Sequence, residues 1–97
     1  MILIRNVFHL KFGKAKEARE ALKKLNSVND SLGHKRGRML SDVTGTSYTF
    51  VLEMEAENFA FIDEMGKAFS NDDWQSAYRE FVPFVESGYR EIFMIEN

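Results

Sequence analysis

The chain has no cysteine. That excludes disulfides, thiol catalysis and cysteine-ligated metal. Its two histidines, His9 and His34, form neither an HxH nor an HExxH pattern, so no metal site is expected. There is one proline, Pro83, and no internal repeat, low-complexity segment or linker interrupts the chain. No apolar run approaches the ~20 residues that a membrane helix needs. The apolar start, Met1 to Ile4, is broken by Arg5 and is too short for a signal peptide. These absences predict a cytoplasmic protein with no membrane partner. The formal net charge is -2, so no global field recruits nucleic acid. No Gly-rich phosphate loop is present, and no Ser-His-acid set has a recognisable context.

What is present is apolar and aromatic. Hydrophobic residues make up 44% of the 97 residues, and nine of them are Phe. That length predicts one domain over residues 1–97 with one modest core. The stretch from Ser70 to Tyr89 organises it. It contains the only Trp and the only Pro. Trp74, Ala77, Tyr78, Phe81 and Val85 recur at three and four residues, which places them on one helical face. Ser70 or Asn71 can cap this helix, and Asp72 and Asp73 then meet the positive end of its dipole. Pro83 should kink or stop it near Val82, and Ser87-Gly88 should end it.

Ile2, Ile4, Phe8, Leu10 and Phe12 alternate with Leu3, Arg5, Val7, His9 and Lys11, a strand pattern in which Asn6 is the polar intruder on the apolar face. After Gly13 the period changes. Ala18, Leu22, Leu25, Val28 and Leu32 form a helical stripe, and Gly33 suits its C-terminal end. Residues 34–38, HKRGR, read as a basic connecting loop. Met39 to Thr44 predicts a second strand, Gly45-Thr46 a turn, and Tyr48 to Glu55 a third strand. Asn58 can cap a helix with Phe59, Ile62, Met65 and Phe69 inward. Tyr89 to Ile95 predicts the fourth strand. The order β-α-β-β-α-β predicts an α+β, ferredoxin-like fold, a four-stranded antiparallel sheet with helices on one face. Leu3, Val7 and Val51 would then lie on the other face, and a second copy of the chain packed sheet against sheet would cover them.

The joins FHLKFGKAKEA, SYTFVLEMEAENFAFIDEM and DDWQSAYREFVPFVESGYREIF together resemble the dimeric α+β barrel superfamily of ferredoxin-like domains, over nearly the whole chain. Within it the chain looks most like small NIPSNAP-like proteins and, more distantly, antibiotic-biosynthesis monooxygenases. The resemblance implies a homodimer. Haem-degrading members of the superfamily supply a residue-by-residue test. Asn6, on the first strand ahead of Gly13, matches their functional Asn. Tyr78 stands where they carry a haem-ligating His, and Trp74 does not align with their Trp, which would fall near Ala68. No cofactor is therefore implied.

Two functions follow as expectations. One is a homodimeric domain holding a small apolar or aromatic molecule between helices and sheet, in a pocket shaped by Asn6, Trp74, Tyr78 and Phe81. The other is a cofactor-independent monooxygenase acting on an aromatic or polyphenolic substrate, with His9 as candidate base. Each residue also has a plainer reading. Asn6 could tie sheet to helix as a satisfied polar group. His9 could be structural, and the aromatic stripe could be core.

Overall fold

A computed structural model of the chain describes residues 1–33 and 37–96. Of the expected basic loop, His34, Lys35 and Arg36 lie outside the described residues. Strand β1 (Ile2–Leu10) leads into α1 (Ala15–Ser31). Then come β2 (Arg38–Ser41), β3 (Thr49–Ala56), α2 (Ala60–Phe69), α3 (Asp72–Phe81) and β4 (Val85–Met94). The four strands form one antiparallel sheet in the order β2-β3-β1-β4. This is the ferredoxin-like α+β arrangement, with the second helical region in two pieces.

The pleat of β1 sorts its side chains. Ile2, Ile4, Asn6, Phe8 and Leu10 face the helices. Leu3, Arg5, Val7 and His9 face away. Stripe residues Ala18, Leu22 and Leu25 of α1 are buried against the sheet, together with Ala21. Gly33 follows α1 at φ +72, the left-handed geometry that lets the amides after a helix turn back onto its last carbonyls. Its own amide donates to the Asp30 carbonyl. The Asn71 side chain caps α3 by accepting from the Trp74 amide at 3.1 Å, and Asp72 and Asp73 occupy the first turn.

Several sequence expectations are corrected. Helix α3 ends at Phe81, and Val82–Phe84 form one turn of 3-10 helix around Pro83. Proline has no amide hydrogen and its ring crowds the preceding turn, so the helix stops there. Val85 therefore opens β4 opposite Leu10 instead of continuing the helical stripe, and Ser87-Gly88 lie inside the strand. Gly88 suits that place, because a Cβ would come 3.0 Å from the Val7 carbonyl oxygen. β4 ends at Met94, one residue before the expected Ile95.

Phe12 lies beyond the end of β1 and is 87% exposed. Its ring leans on Tyr48 at 5.2 Å. Tyr48 itself precedes β3, at φ 59. β2 stops at Ser41 because Asp42 closes the following loop. Its amide donates to the Thr49 carbonyl, and its carboxylate accepts from the Thr49 amide at 2.9 Å.

The buried side chains on the helix side fall into two groups. Leu10, Ala18, Ala21, Leu22, Leu25, Phe50, Ala77 and Phe81 form one, under α1 and α3. Ile2, Ile4, Ala56 and Met65 form the other, under α2. Truncating Ile4, which is 1% exposed, to Ala should cost about 2–5 kcal/mol, whereas Val43→Ala, at 96% exposed, should stay within about 0.5 kcal/mol of wild type. Urea midpoints read both, and equal shifts would contradict the packing described.

Candidate functional site

Between the two groups of core residues lies a cavity of about 830 Å³. Its floor is the helix-facing side of β1 and β3, including Asn6, Phe8, Leu52 and Met54. Leu25 and Asn26 of α1 form one wall, and Met65 and Ala68 of α2 another. Trp74, Tyr78 and Phe81 of α3 close the aromatic side. The volume is near the upper end of the roughly 300–1,000 Å³ range of small-molecule sites. The split of the second helical region into α2 and α3 accounts for it, since neither short helix spans the sheet beneath.

The aromatic wall is a ladder. Phe69 stacks on Trp74 at 4.4 Å between centroids, and Trp74 on Tyr78 at 4.9 Å with only 14° between the rings. Phe81 meets Tyr78 at 6.2 Å and Phe8 edge-on at 5.1 Å. Phe81 is fully buried, while Trp74 and Tyr78 are half-buried. Offset stacking of this kind leaves ring faces and edges in reach of a flat apolar guest.

Asn6 is half-buried on the cavity floor. Its side-chain oxygen accepts from Arg90 Nε at 2.8 Å. The two residues are cross-strand partners on β1 and β4. The bond thus ties strand to strand, where the sequence suggested a tie from sheet to helix. Arg90 also lines the cavity and was absent from the sequence-derived candidates. Its phase in RE-I-F-M matches Ile92 and Met94, but only the register with β1 reveals that Asn6 lies beside it.

The four pocket candidates Asn6, Trp74, Tyr78 and Phe81 all line this one cavity. His9 does not. It projects from the opposite face of the sheet, into a shallow cleft of about 220 Å³ with Arg5, Val7, Thr49, Val51 and Tyr89. There its Nδ1 lies 3.4 Å from Thr49 Oγ1, and the hydroxyl itself donates to the Thr46 carbonyl at 2.7 Å. The Tyr89 ring lies 6.0 Å from the imidazole. Proton transfer from His9 to a molecule in the larger cavity would have to cross the sheet.

The same outward face carries an alternating row of charge across all four strands. Arg38 on β2 meets Glu53 on β3 at 2.7 Å, Glu53 meets Arg5 on β1 at 3.0 Å, and Arg5 meets Glu91 on β4 at 3.2 Å. Glu53 is buried, and both its oxygens are bonded by arginines. Among the described residues, no group of His, Asp and Glu could hold a metal ion, and no helix is long and apolar enough to cross a membrane.

No protein-family model matches the sequence, and no curated protein matches it. Solved structures do. An uncharacterized NIPSNAP domain protein from Burkholderia xenovorans superposes with a TM-score of 0.87 at 12% identity, covering 99% of this chain and 95% of that one. A NIPSNAP family protein from Agrobacterium tumefaciens also gives 0.87 at 12%, covering 99% and 93%. The fold is that of the NIPSNAP domains. A putative antibiotic biosynthesis monooxygenase from Nitrosomonas europaea follows at 0.72 and 14% identity, with 97% of each chain covered.

The ladder makes a prediction about stability. Phe81→Ala should cost about 3–5 kcal/mol. Trp74→Ala should cost less, about 1–3 kcal/mol, because Trp74 borders the cavity and keeps two stacked contacts of roughly 0.5–1.5 kcal/mol each. Paired denaturant melts compare them. A loss at Trp74 as large as that at Phe81 would make Trp74 a core support and not a cavity wall.

Proposed function

We propose that this chain is a small homodimeric NIPSNAP-like domain that binds a small apolar or aromatic molecule between its helices and its sheet. The observation that carries the reading is the aromatic-walled cavity, with a polar pair, Asn6 and Arg90, on an otherwise apolar floor. A few convergent polar groups in a concave apolar site are what orient a small ligand. The lack of cysteine fits a cytoplasmic location, where the reducing poise gives disulfides little use.

The dimer reading rests on the outward face of the sheet. Leu40, Tyr89 and Phe93 are exposed there, beside the charged row. That row reads plus, minus, plus, minus across the strands. A second copy related by a two-fold axis along the strands presents it reversed, so each cation faces an anion. An axis across the strands would set like charges together and is disfavoured. Light scattering at micromolar concentration should give twice the 11.3 kDa chain mass. Tyr89→Asp with Phe93→Asp should give monomers. A wild-type monomer under the same conditions would sink the dimer.

The structural likeness to an antibiotic biosynthesis monooxygenase favours a second reading, cofactor-independent oxygenation of a polyphenol in the same cavity. Oxygen consumption with polyphenolic substrates separates the two readings. With His9 on the far face, such chemistry would draw on Tyr78, Asn6 and Arg90, which makes binding without turnover the preferred reading.

The cavity is tested with flat apolar probes such as pyrene, followed through the fluorescence of Trp74, the only tryptophan. Binding should change that emission saturably. Ala68→Phe, on the half-buried α2 wall, should fill part of the cavity and weaken binding at least tenfold while the melting curve stays cooperative. Unchanged probe affinity in Ala68→Phe would place the binding elsewhere.

A further inference from the structure

Among the described residues Arg90 is the one arginine on the cavity lining. Arg5 reaches two carboxylates and Arg38 one. Arg79 reaches the Gln75 amide, and Arg19 lies over the Phe50 ring at 5.7 Å. Arg90 bonds only the neutral oxygen of Asn6, through Nε. Among the described residues no carboxylate neutralises it, and it lines the cavity. A guanidinium whose Nε is held keeps its two terminal nitrogens as a fork, the geometry that suits a carboxylate bidentately. Among the described residues the one acid on the cavity lining is Glu64, an exposed residue of α2 that makes no ion pair with Arg90. Among the described residues the lining is otherwise apolar or neutral apart from Arg90, so its chemistry asks for one anionic group on a flat apolar body.

We infer that the cavity takes a flat, multi-ring or similarly bulky apolar carboxylate, with the carboxylate on the Arg90 guanidinium and the apolar body along the aromatic wall. This rests on the binding function proposed above and specifies its ligand class. Asn6 is then a positioning residue. Its oxygen occupies Nε, fixes the plane of the guanidinium and turns the terminal nitrogens toward the guest. That gives the polar intruder on β1 a function without any contact between Asn6 and the ligand. Arg90 is exposed, so water competes for it, and the ion contributes selectivity over an apolar term that the ring system supplies.

The experiment uses the whole protein and two matched pairs of probes: anthracenecarboxylate with its methyl ester, and pyrenebutyrate with its methyl ester. Affinities are read by probe fluorescence and by calorimetry. Wild type should hold each acid about threefold to fivefold tighter than its ester, the upper scale of a solvent-exposed ion pair. Arg90→Gln should bring acid and ester to equal affinity while ester affinity stays within about twofold of wild type. Arg79→Gln, which removes the same charge from α3 outside the cavity lining, should keep the preference. Asn6→Leu should reduce the preference without abolishing it. Equal binding of acid and ester by wild type would overturn the carboxylate assignment and leave the apolar cavity standing. Loss of preference in Arg79→Gln as large as in Arg90→Gln would overturn it too, by tracing selectivity to net charge. Failure of wild type to bind any of the four probes would overturn both this assignment and the binding function.

Discussion

The structure depends on the double pairing of β1. This strand is bonded to β3 on one edge and β4 on the other, so its pleat fixes what each face of the sheet can present. A slip by one residue would send Asn6 outward and Arg5 into the helices. The side chains hold the register from both sides. Ile2 and Ile4 are buried under α2, and Leu10 and Phe8 lie under α3. On the far face Arg5 bridges Glu53 and Glu91, its direct neighbours on β3 and β4. A buried carboxylate such as Glu53 costs free energy unless its oxygens are bonded, and only this register supplies both arginines.

The cavity follows from a helix that does not run through. Asn71 starts α3 afresh just after α2 ends at Phe69, and Pro83 ends it before the sheet is covered. Each of the two short helices buries few residues, Met65 on α2 and Ala77 and Phe81 on α3. Phe61, Ala68 and Phe69 on α2 and Trp74 and Tyr78 on α3 stay half-buried and line the gap. A continuous helix with the same composition would have packed that surface into one core. The break converts part of the packing energy into a lined void, which a guest can recover on binding.

Much of this was legible in the sequence. The alternation in β1 and β3 and the stripe of α1 gave the strands, the helix and the element order, because both periods are set by backbone geometry alone. The aromatic spacing of Trp74, Tyr78 and Phe81 gave the wall. Tyr48 and Phe12 fitted the alternation yet lie outside the strands, since periodicity cannot register where hydrogen-bond partners run out. Val85 fitted the helical spacing, but the lost amide of Pro83 outweighed it. The separation of His9 from Asn6 was readable from their odd and even positions. The pairing of Asn6 with Arg90 was not, because it needs the register between residues at opposite ends of the chain.

β4 joins the two faces. Arg90 lines the cavity, Tyr89 borders it and sets its ring beside His9 on the outward face, and Glu91 meets Arg5 on that outward face. As the edge strand of a single copy, β4 is held on one side only, by β1. Edge strands are the parts of a sheet freest to move or to pair again. Packing a second copy against Tyr89, Glu91 and Phe93 would immobilise β4, and with it the backbone that carries Arg90. The proposed dimer and the proposed ligand then bear on the same ten residues from opposite sides. Any restriction of β4 by one lowers the ordering cost that the other must meet, so association and binding would reinforce each other without a contact between them.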